Sequence, residues 1–312
     1  MPPTPSDESY DEFSMFHENA EEFGISYDRP PLVRRQQVEV APGRYLSALV
    51  WGDGPPEFVL LHGGAQNAHT WDTVALALGR PLVAIDLAGH GHSDPVEGGS
   101  ALDLEARATE VATVVRQLAP HAKAIAGMSL GGLTTLALYA HAPELVRRIV
   151  LVDITPGVTG EKSKAITAFV GGPTGFDSFD DILARTIEHN PTRTVSSLRR
   201  GVLHNALQLA DGTWVWRHAR GRGLERNESS TFSEFARLWE VVSTVSVPLM
   251  LARGMREQSV VDDADEAETV RRCPAATVEH FGEAGHSIQG DMPVAFARAL
   301  ADFADEGDND EP

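Results

Sequence analysis

The segment that most constrains the fold is a short apolar stretch followed by a serine between two glycines. Residues 122–126 are mostly apolar and predict a buried strand. Gly127, Ser129 and Gly131 follow it in the order Gly-Met-Ser-Leu-Gly, and apolar residues with helical spacing then run to residue 140. A strand, a tight turn and a helix around Gly-x-Ser-x-Gly predict a strained turn that exposes the Ser129 hydroxyl.

This turn makes Ser129 a candidate nucleophile. The first amide of the following helix, at Leu130, would point at the negative charge that forms when a serine attacks a carbonyl group. The bare five-residue pattern also occurs by chance, and it would then be an ordinary glycine-rich turn of an α/β protein. The strand before it and the helix after it favour the nucleophile.

Charge and composition narrow the class of protein. The 312 residues include 26 basic and 45 acidic ones, for a net charge of −19. Such a surface repels phosphate backbones and anionic membranes, so we expect no nucleic-acid or membrane partner. The single cysteine, Cys273, excludes an internal disulfide and a cysteine-based zinc site. With no signal-peptide pattern and no apolar stretch of about 20 residues, we predict a cytoplasmic protein.

The chain divides into five segments by composition. Residues 1–30, with eight acids and one arginine, predict a loosely ordered arm. Residues 156–245 lack long buried strands and predict a mainly helical cap with a small hairpin. The flanking segments, residues 31–155 and 246–304, predict one α/β core, and the acidic tail 305–312 predicts disorder. The sequence leaves the oligomeric state open.

The core segments alternate buried strands with helices. This order predicts a mostly parallel sheet covered on both faces, with its active site at the carboxyl ends of the strands. His62, Ser129 and Asp153 each follow such a strand directly. His286 lies in a loop after the last strand, so it would reach the same edge. Because a serine nucleophile needs a base, and the order serine then histidine suits this fold, we expect His286 to be that base.

Four motifs together resemble those of enzymes with the α/β-hydrolase fold and a helical cap. They span residues 57–290 and are His62-Gly63-Gly64 with Trp71, Asp86 to Ser93, Gly127 to Gly132, and Ala284-Gly285-His286. The chain is most similar to actinobacterial carboxylesterase-like hydrolases. The resemblance implies an eight-stranded, mostly parallel sheet flanked by helices, with the cap inserted between two strands. It also implies that the amides of Gly64 and Leu130 form the oxyanion hole, and that His90 and His92 sit in a structural turn without a metal.

The acid that orients His286 is ambiguous. In the family this acid usually follows the strand after the cap, where the present chain has Glu257. The alternative position, used by some members of the fold, follows the strand before the cap and holds Asp153. Asp153 could also be an ordinary strand-ending residue. We favour Asp153 and keep Glu257 as the alternative.

The predicted function is a cofactor-free serine hydrolase that cleaves carboxylic esters through an acyl-enzyme. The alternatives are a carbon–carbon hydrolase, a lactonase, an acyltransferase or a perhydrolase on the same residues, and a non-catalytic small-molecule receptor on this fold. We expect a small-molecule ester or related carbonyl compound as substrate and assign Phe169, Trp214 and Trp216 to its pocket. Other cap residues that could line the pocket, or simply pack in the cap, are Ala168, Phe176, Leu203 and Leu207.

Overall fold

A computed structural model describes residues 10–95, 103–190, 193–218 and 228–306 of the protein. The strands are β1 Val33–Ala41, β2 Arg44–Trp51, β3 Phe58–Leu61, β4 Leu82–Ile85, β5 Ala124–Met128, β6 Ile149–Val152, β7 Gly175–Phe176, β8 Ala206–Gln208, β9 Trp214–Trp216, β10 Leu249–Gly254 and β11 Thr277–Phe281. The α-helices are α1 Phe16–Glu22, α2 Asp72–Leu78, α3 Leu104–Leu118, α4 Leu130–His141, α5 Lys164–Val170, α6 Phe179–His189, α7 Val195–Asn205, α8 Glu228–Thr244, α9 Asp263–Arg272, α10 Ile288–Asp291 and α11 Pro293–Asp305. Two short 3-10 helices span Ala68–Trp71 and Pro143–Leu145.

Eight strands form the main sheet in the order β1-β2-β4-β3-β5-β6-β10-β11. The pairs β1–β2 and β2–β4 are antiparallel, and every pair from β4 to β11 is parallel. Strands β3, β4, β5 and β6 are buried along their whole length, as expected when helices cover both faces. The prediction of an eight-stranded, mostly parallel sheet flanked by helices is therefore confirmed.

Two apolar layers hold this sheet between its helices. On one face α3 and α4 bury Val111, Leu133 and Leu136 against the strands. On the other face α2 and α11 pack together, with the Trp71 and Phe296 rings 5.9 Å apart. Each fully buried side chain of this size stabilises the fold by roughly 1.5–3 kcal/mol relative to an exposed one. The sheet edge that carries the site is thus fixed from both sides.

The cap, residues 156–245, lies between β6 and β10 in the chain. Its described part contains α5 to α8 and a small antiparallel sheet of order β7-β9-β8. Helix α7 ends at Asn205, because residues 206–208 pair with β9 as strand β8. Among the described residues, no helix is both long and apolar enough to span a membrane.

The amino-terminal arm differs from its prediction. Helix α1 packs on the core, where Phe16 is buried with its ring 4.8 Å from that of Trp51. Two acids of the arm have cationic partners on the body of the protein, since Glu12 binds Arg35 and Glu22 binds Arg200. A loosely ordered arm is therefore wrong for residues 10–22, and residues 1–9 lie outside the described residues.

The predicted disordered tail largely falls outside the described residues as well, because they end at residue 306. Asp305, the first residue of the predicted tail, is ordered and so differs from the prediction. It ends α11 and forms ion pairs with Arg80 and Lys123 at 2.8 and 2.9 Å.

Candidate active site

Ser129 sits in the turn between β5 and α4, with φ 51° and ψ −117°. Positive φ is costly for a side chain with a Cβ, by about 1–3 kcal/mol, and such strain concentrates at functional sites. The flanking glycines are required by close packing. A Cβ on Gly127 would lie 2.3 Å from the Gly131 carbonyl carbon, and one on Gly131 would lie 2.2 Å from the Leu61 oxygen. The strained turn predicted from the sequence is therefore present.

Asp153 and His286 meet at the carboxyl edge of the sheet. His286 Nδ1 lies 2.9 Å from Asp153 Oδ2, which fixes the orientation of the ring. The Asp153 side chain is fully buried, and 11% of the His286 side chain is exposed. When Nδ1 donates a hydrogen bond to the carboxylate, Nε2 of the neutral ring carries no proton. Nε2 can then accept a proton, as a base must.

Three further donors bind the Asp153 carboxylate. Oδ1 accepts from the Gly254 amide at 2.9 Å and from the Ser259 hydroxyl at 2.6 Å. Oδ2 accepts from the Val260 amide at 3.0 Å in addition to His286. Four donors therefore hold this buried carboxyl group in place, and two of them come from the loop after β10.

Glu257, the alternative acid, lies in the same loop but points elsewhere. Its side chain is exposed and accepts a bond from the neighbouring Gln258 side chain at 3.3 Å. The structure thus brings Asp153, and not Glu257, against His286.

Ser129 and His286 line one cavity beneath the cap. Its apolar wall comes from α5 and its polar wall from the residues between α6 and α7 and from the loop of His286. The other lining residues are Gly63, Gly64, Ala65, Gln66, Met128, Ala165, Ile166, Phe169, Val170, His189, Asn190, Arg193, Gln258, Ser287 and Asp291. A small organic molecule can therefore reach both candidate catalytic side chains from one side.

The loop after β3 presents one amide to this cavity. The Gly63 amide donates to the Gln66 side chain, the Ala65 amide to His90 Nε2, and the Gln66 amide to the Gly63 carbonyl. Within the described part of the chain, the Gly64 amide has no such partner. Leu130 is the first residue of α4, where amides lack an intrahelical acceptor. These two amides are the donors that the resemblance assigned to an oxyanion hole.

Two histidines, buried His62 and half-buried His90, support this loop. His62 Nε2 accepts from the Leu87 amide at 2.9 Å, and His90 Nε2 accepts from the Ala65 amide at 3.1 Å. Burial lowers the pKa of His62 to about 4 and that of His90 well below its usual value, so both rings stay neutral acceptors. His90 therefore supports the loop of Gly64 through a hydrogen bond.

The three residues predicted for the substrate pocket lie in different places. Phe169 lines the cavity of Ser129. Trp216 lines a second cavity beyond it and packs edge-on against Phe169, with ring centres 5.8 Å apart. Trp214 lines neither of these two cavities and packs edge-on against Phe179, with ring centres 5.1 Å apart. The pocket assignment of Trp214 stays a prediction from the sequence, and in this structure its ring packs within the cap.

Several lining residues gave no signal in the sequence. Arg193, Asn190 and Gln258 belong to no motif, and the packing of the cap on the core brings Arg193 and Asn190 to the cavity. Ser259 had a weak signal, since it lies in the loop in which an acid was sought. Its hydroxyl instead holds the acid of another strand.

One cluster of described residues has the composition of a metal site. Ligand atoms of His69, Asp72 and His204 lie within 4.8 Å of one another, and all three residues are buried. The two imidazole rings stack at 3.9 Å with an interplanar angle of 9°, so their in-plane lone pairs run side by side and do not converge on one ion. His69 also bonds Asp72 at 2.8 Å and Glu12 at 3.1 Å. The cluster fits an ion-pair network under the amino-terminal arm better than a metal centre.

Fold and site together define an α/β hydrolase. The sequence profile of the alpha/beta hydrolase fold matches residues 56–293, and the chain belongs to this family. It is 42% identical to esterase Rv0045c of Mycobacterium tuberculosis over 95% of this chain and 96% of that protein. A crystal structure of that esterase superimposes with a TM-score of 0.81, covering 95% of this chain and 99% of that one. A further relative, the 2-(acetamidomethylene)succinate hydrolase of Mesorhizobium japonicum, is 27% identical over 81% of this chain and 89% of its own length.

Proposed function

We propose that the protein is a serine hydrolase that cleaves carboxylic esters, with Ser129 as nucleophile, His286 as base and Asp153 as the orienting acid. The observation that carries the proposal is the His286–Asp153 hydrogen bond at the mouth of a cavity that also exposes Ser129. The esterase name of a relative 42% identical over nearly the whole chain supports an ester as the substrate.

The proposed reaction has two halves that share these groups. In acylation, Ser129 Oγ attacks the ester carbonyl carbon while its proton passes to His286 Nε2. The Asp153 carboxylate stabilises the imidazolium through Nδ1, and the amides of Gly64 and Leu130 stabilise the oxyanion, each by roughly 3 kcal/mol. When the tetrahedral intermediate collapses, the carbon–oxygen bond of the ester breaks and His286 gives its proton to the leaving alcohol.

In deacylation, a water molecule replaces the alcohol. His286 takes a proton from the water as its oxygen attacks the acyl carbon, and the same two amides bind the new oxyanion. The bond to Ser129 then breaks, the serine recovers its proton from His286, and the carboxylic acid leaves. No step needs a cofactor. The cytoplasmic location and the lack of a nucleic-acid or membrane partner stay predictions from the sequence, and the oligomeric state stays open.

The test is Ser129→Ala, assayed with p-nitrophenyl butyrate and with a fluorophosphonate probe that labels activated serines. We expect hydrolysis to fall at least about 1,000-fold and labelling to disappear. Ser243→Ala is the matched control, because the Ser243 hydroxyl is exposed on α8 and bonds the Trp239 carbonyl. Activity of Ser129→Ala within tenfold of the unmodified protein, at equal folding by circular dichroism, would refute the serine mechanism. A protein that labels but hydrolyses no ester would point to another acyl acceptor or carbonyl substrate.

A further inference from the structure

Arg193 is a cationic side chain in the wall of the candidate active site. It lies just before α7 and lines the cavity that contains Ser129 and His286. The guanidinium also lies against the backbone of α10, since a Cβ on Gly290 would be 2.3 Å from Arg193 Nη1. Gly290 is four residues after His286, so this contact places the guanidinium beside the loop of the candidate base.

Among the described residues, the charge of Arg193 has no direct counter-ion. Its guanidinium bonds the Ser197 hydroxyl, and its Nε is buried without a hydrogen-bond partner. In the part of the chain that the structure describes, no carboxylate oxygen lies within 4.0 Å of it. Arg200, within α7, is different, because it bonds Glu22 and Asn19. Buried arginines are normally paired in the way Arg200 is.

The electrostatic environment agrees with this description. Burial lowers the pKa of Arg193, and the more distant carboxylates of Asp291 and Glu22 oppose that effect only in part. An arginine nevertheless keeps its charge at any pH at which the protein is folded. A half-buried cation of this kind is stabilised by an anion that enters the cavity and offers two oxygens to its planar fork.

The remaining walls define the kind of anion. Helix α5 contributes an apolar wall through Ile166, Phe169 and Val170, which suits an aliphatic or aromatic carbon chain. The carboxylate of Asp291 also lines the cavity. One arginine next to a carboxylate suits a singly charged group and disfavours a phosphate dianion.

We infer that Arg193 binds a carboxylate carried by the ester substrate, so that the preferred substrates are anionic esters. This inference rests on the proposed esterase function and adds a substrate class to it. Two kinds of ester fit: those with a carboxylate at the far end of the acyl chain, and those with a carboxylate on the alcohol.

The experiment compares matched pairs of esters in the unmodified protein and in Arg193→Gln. For the acyl side the pair is p-nitrophenyl hydrogen adipate and p-nitrophenyl hexanoate, which differ by a carboxylate in place of a methyl group. For the alcohol side the pair is 4-(butanoyloxy)benzoate and its methyl ester. Arg199→Gln is the matched control, because Arg199 also lies on α7 but half of its side chain is exposed.

In one of the two pairs, we expect Arg193→Gln to lower kcat/KM for the anionic ester by about 10- to 100-fold, the range for losing a hydrogen-bonded charge pair. The neutral partner should change by less than about threefold, and Arg199→Gln should change neither. Arg193→Lys should recover part of the loss, because it restores the charge without the fork. Binding of adipate to Ser129→Ala, measured by calorimetry, should weaken when Arg193→Gln is added.

Equal losses for charged and neutral esters in both pairs would overturn the inference and make Arg193 a packing residue between the cap and α10. The proposed function would survive that result, since the neutral esters would still be hydrolysed through Ser129. A protein that hydrolyses neither member of any pair would instead remove the proposed function. In that case adipate binding by Ser129→Ala, with and without Arg193→Gln, still decides whether Arg193 binds a carboxylate.

Discussion

Replacing Asp153 by asparagine tests the assignment of the acid most directly. The substitution keeps the size of the side chain but exchanges one acceptor oxygen for an NH₂ group. In the structure, each carboxylate oxygen accepts from a backbone amide, Gly254 or Val260, and from one adaptable group, Ser259 or His286. Whichever way the asparagine turns, its NH₂ group faces a backbone amide that cannot change from donor to acceptor.

The magnitude follows from the two orientations. Each leaves one buried amide without an acceptor, at a cost of about 1–3 kcal/mol in folding free energy. If the NH₂ group faces His286, the imidazole accepts at Nδ1 and carries its proton on Nε2, so it is no longer a base. If the NH₂ group faces Ser259 instead, the ring keeps its tautomer but loses the negative charge that stabilises the imidazolium. Both outcomes lower kcat, and we expect a decrease of roughly 10²- to 10⁴-fold with little change in KM.

The assay is steady-state hydrolysis of p-nitrophenyl butyrate between pH 6 and 9, at matched folding by circular dichroism. Glu257→Gln is the control, because Glu257 is exposed and bonds only Gln258 among the described residues. We expect it to change kcat by less than about tenfold. A nearly normal Asp153→Asn beside a crippled Glu257→Gln would refute the assignment and place the acid after β10.

Two further predictions concern the arm and the cap. Burial opposes the charge of His69, but Asp72 and Glu12 outweigh it and raise the pKa of His69 to about 9. Protonated His69 therefore stabilises the folded state, and this contribution is fully present below pH 6.5. It is lost as pH rises through 9, so we expect the free energy of unfolding to decrease by about 3 kcal/mol between these two pH values. Denaturant unfolding across this range should show the decrease, and an equal slope in His69→Gln would contradict it. In the cap, Trp216→Ala should change relative rates across acyl lengths more than Trp214→Ala, because Trp216 packs on Phe169; equal rate profiles for the two variants would argue against this.

The positions of Ser129, Asp153 and His286 could be predicted because each follows a strand that the apolar pattern reveals. Parallel neighbours end at one edge, and the register places Met128 beside Val152 in the sheet. The pattern therefore predicts which residues share an edge. It cannot distinguish acids on two adjacent strands, and β6 and β10 are adjacent, with Val152 paired to Ala252. Strand order alone therefore does not show whether Asp153 or Glu257 is the acid that orients His286.

The cap and the arm were less predictable because their side chains are placed by docking and not by local pattern. Trp214 and Trp216 are two residues apart and share one face of β9, so the strand pattern does not distinguish them. Which of the two contacts Phe169 depends on how β9 and its neighbours pack within the cap. In the arm, composition alone predicted repulsion and disorder. Its acids instead meet the cations Arg35 and Arg200, which are 23 and 178 residues away in sequence.

The same reasoning explains why Arg193 escaped notice in the sequence. A charged residue in a helical cap is ordinarily a surface residue. We therefore expect an arginine of the cap to contact solvent or a carboxylate. Arg193 becomes half-buried where the cap packs on α10, and this contact supplies no counter-ion among the described residues. A sequence can therefore reveal the groups that perform the chemistry, which follow strands. The groups that select the substrate depend on the contact between cap and core.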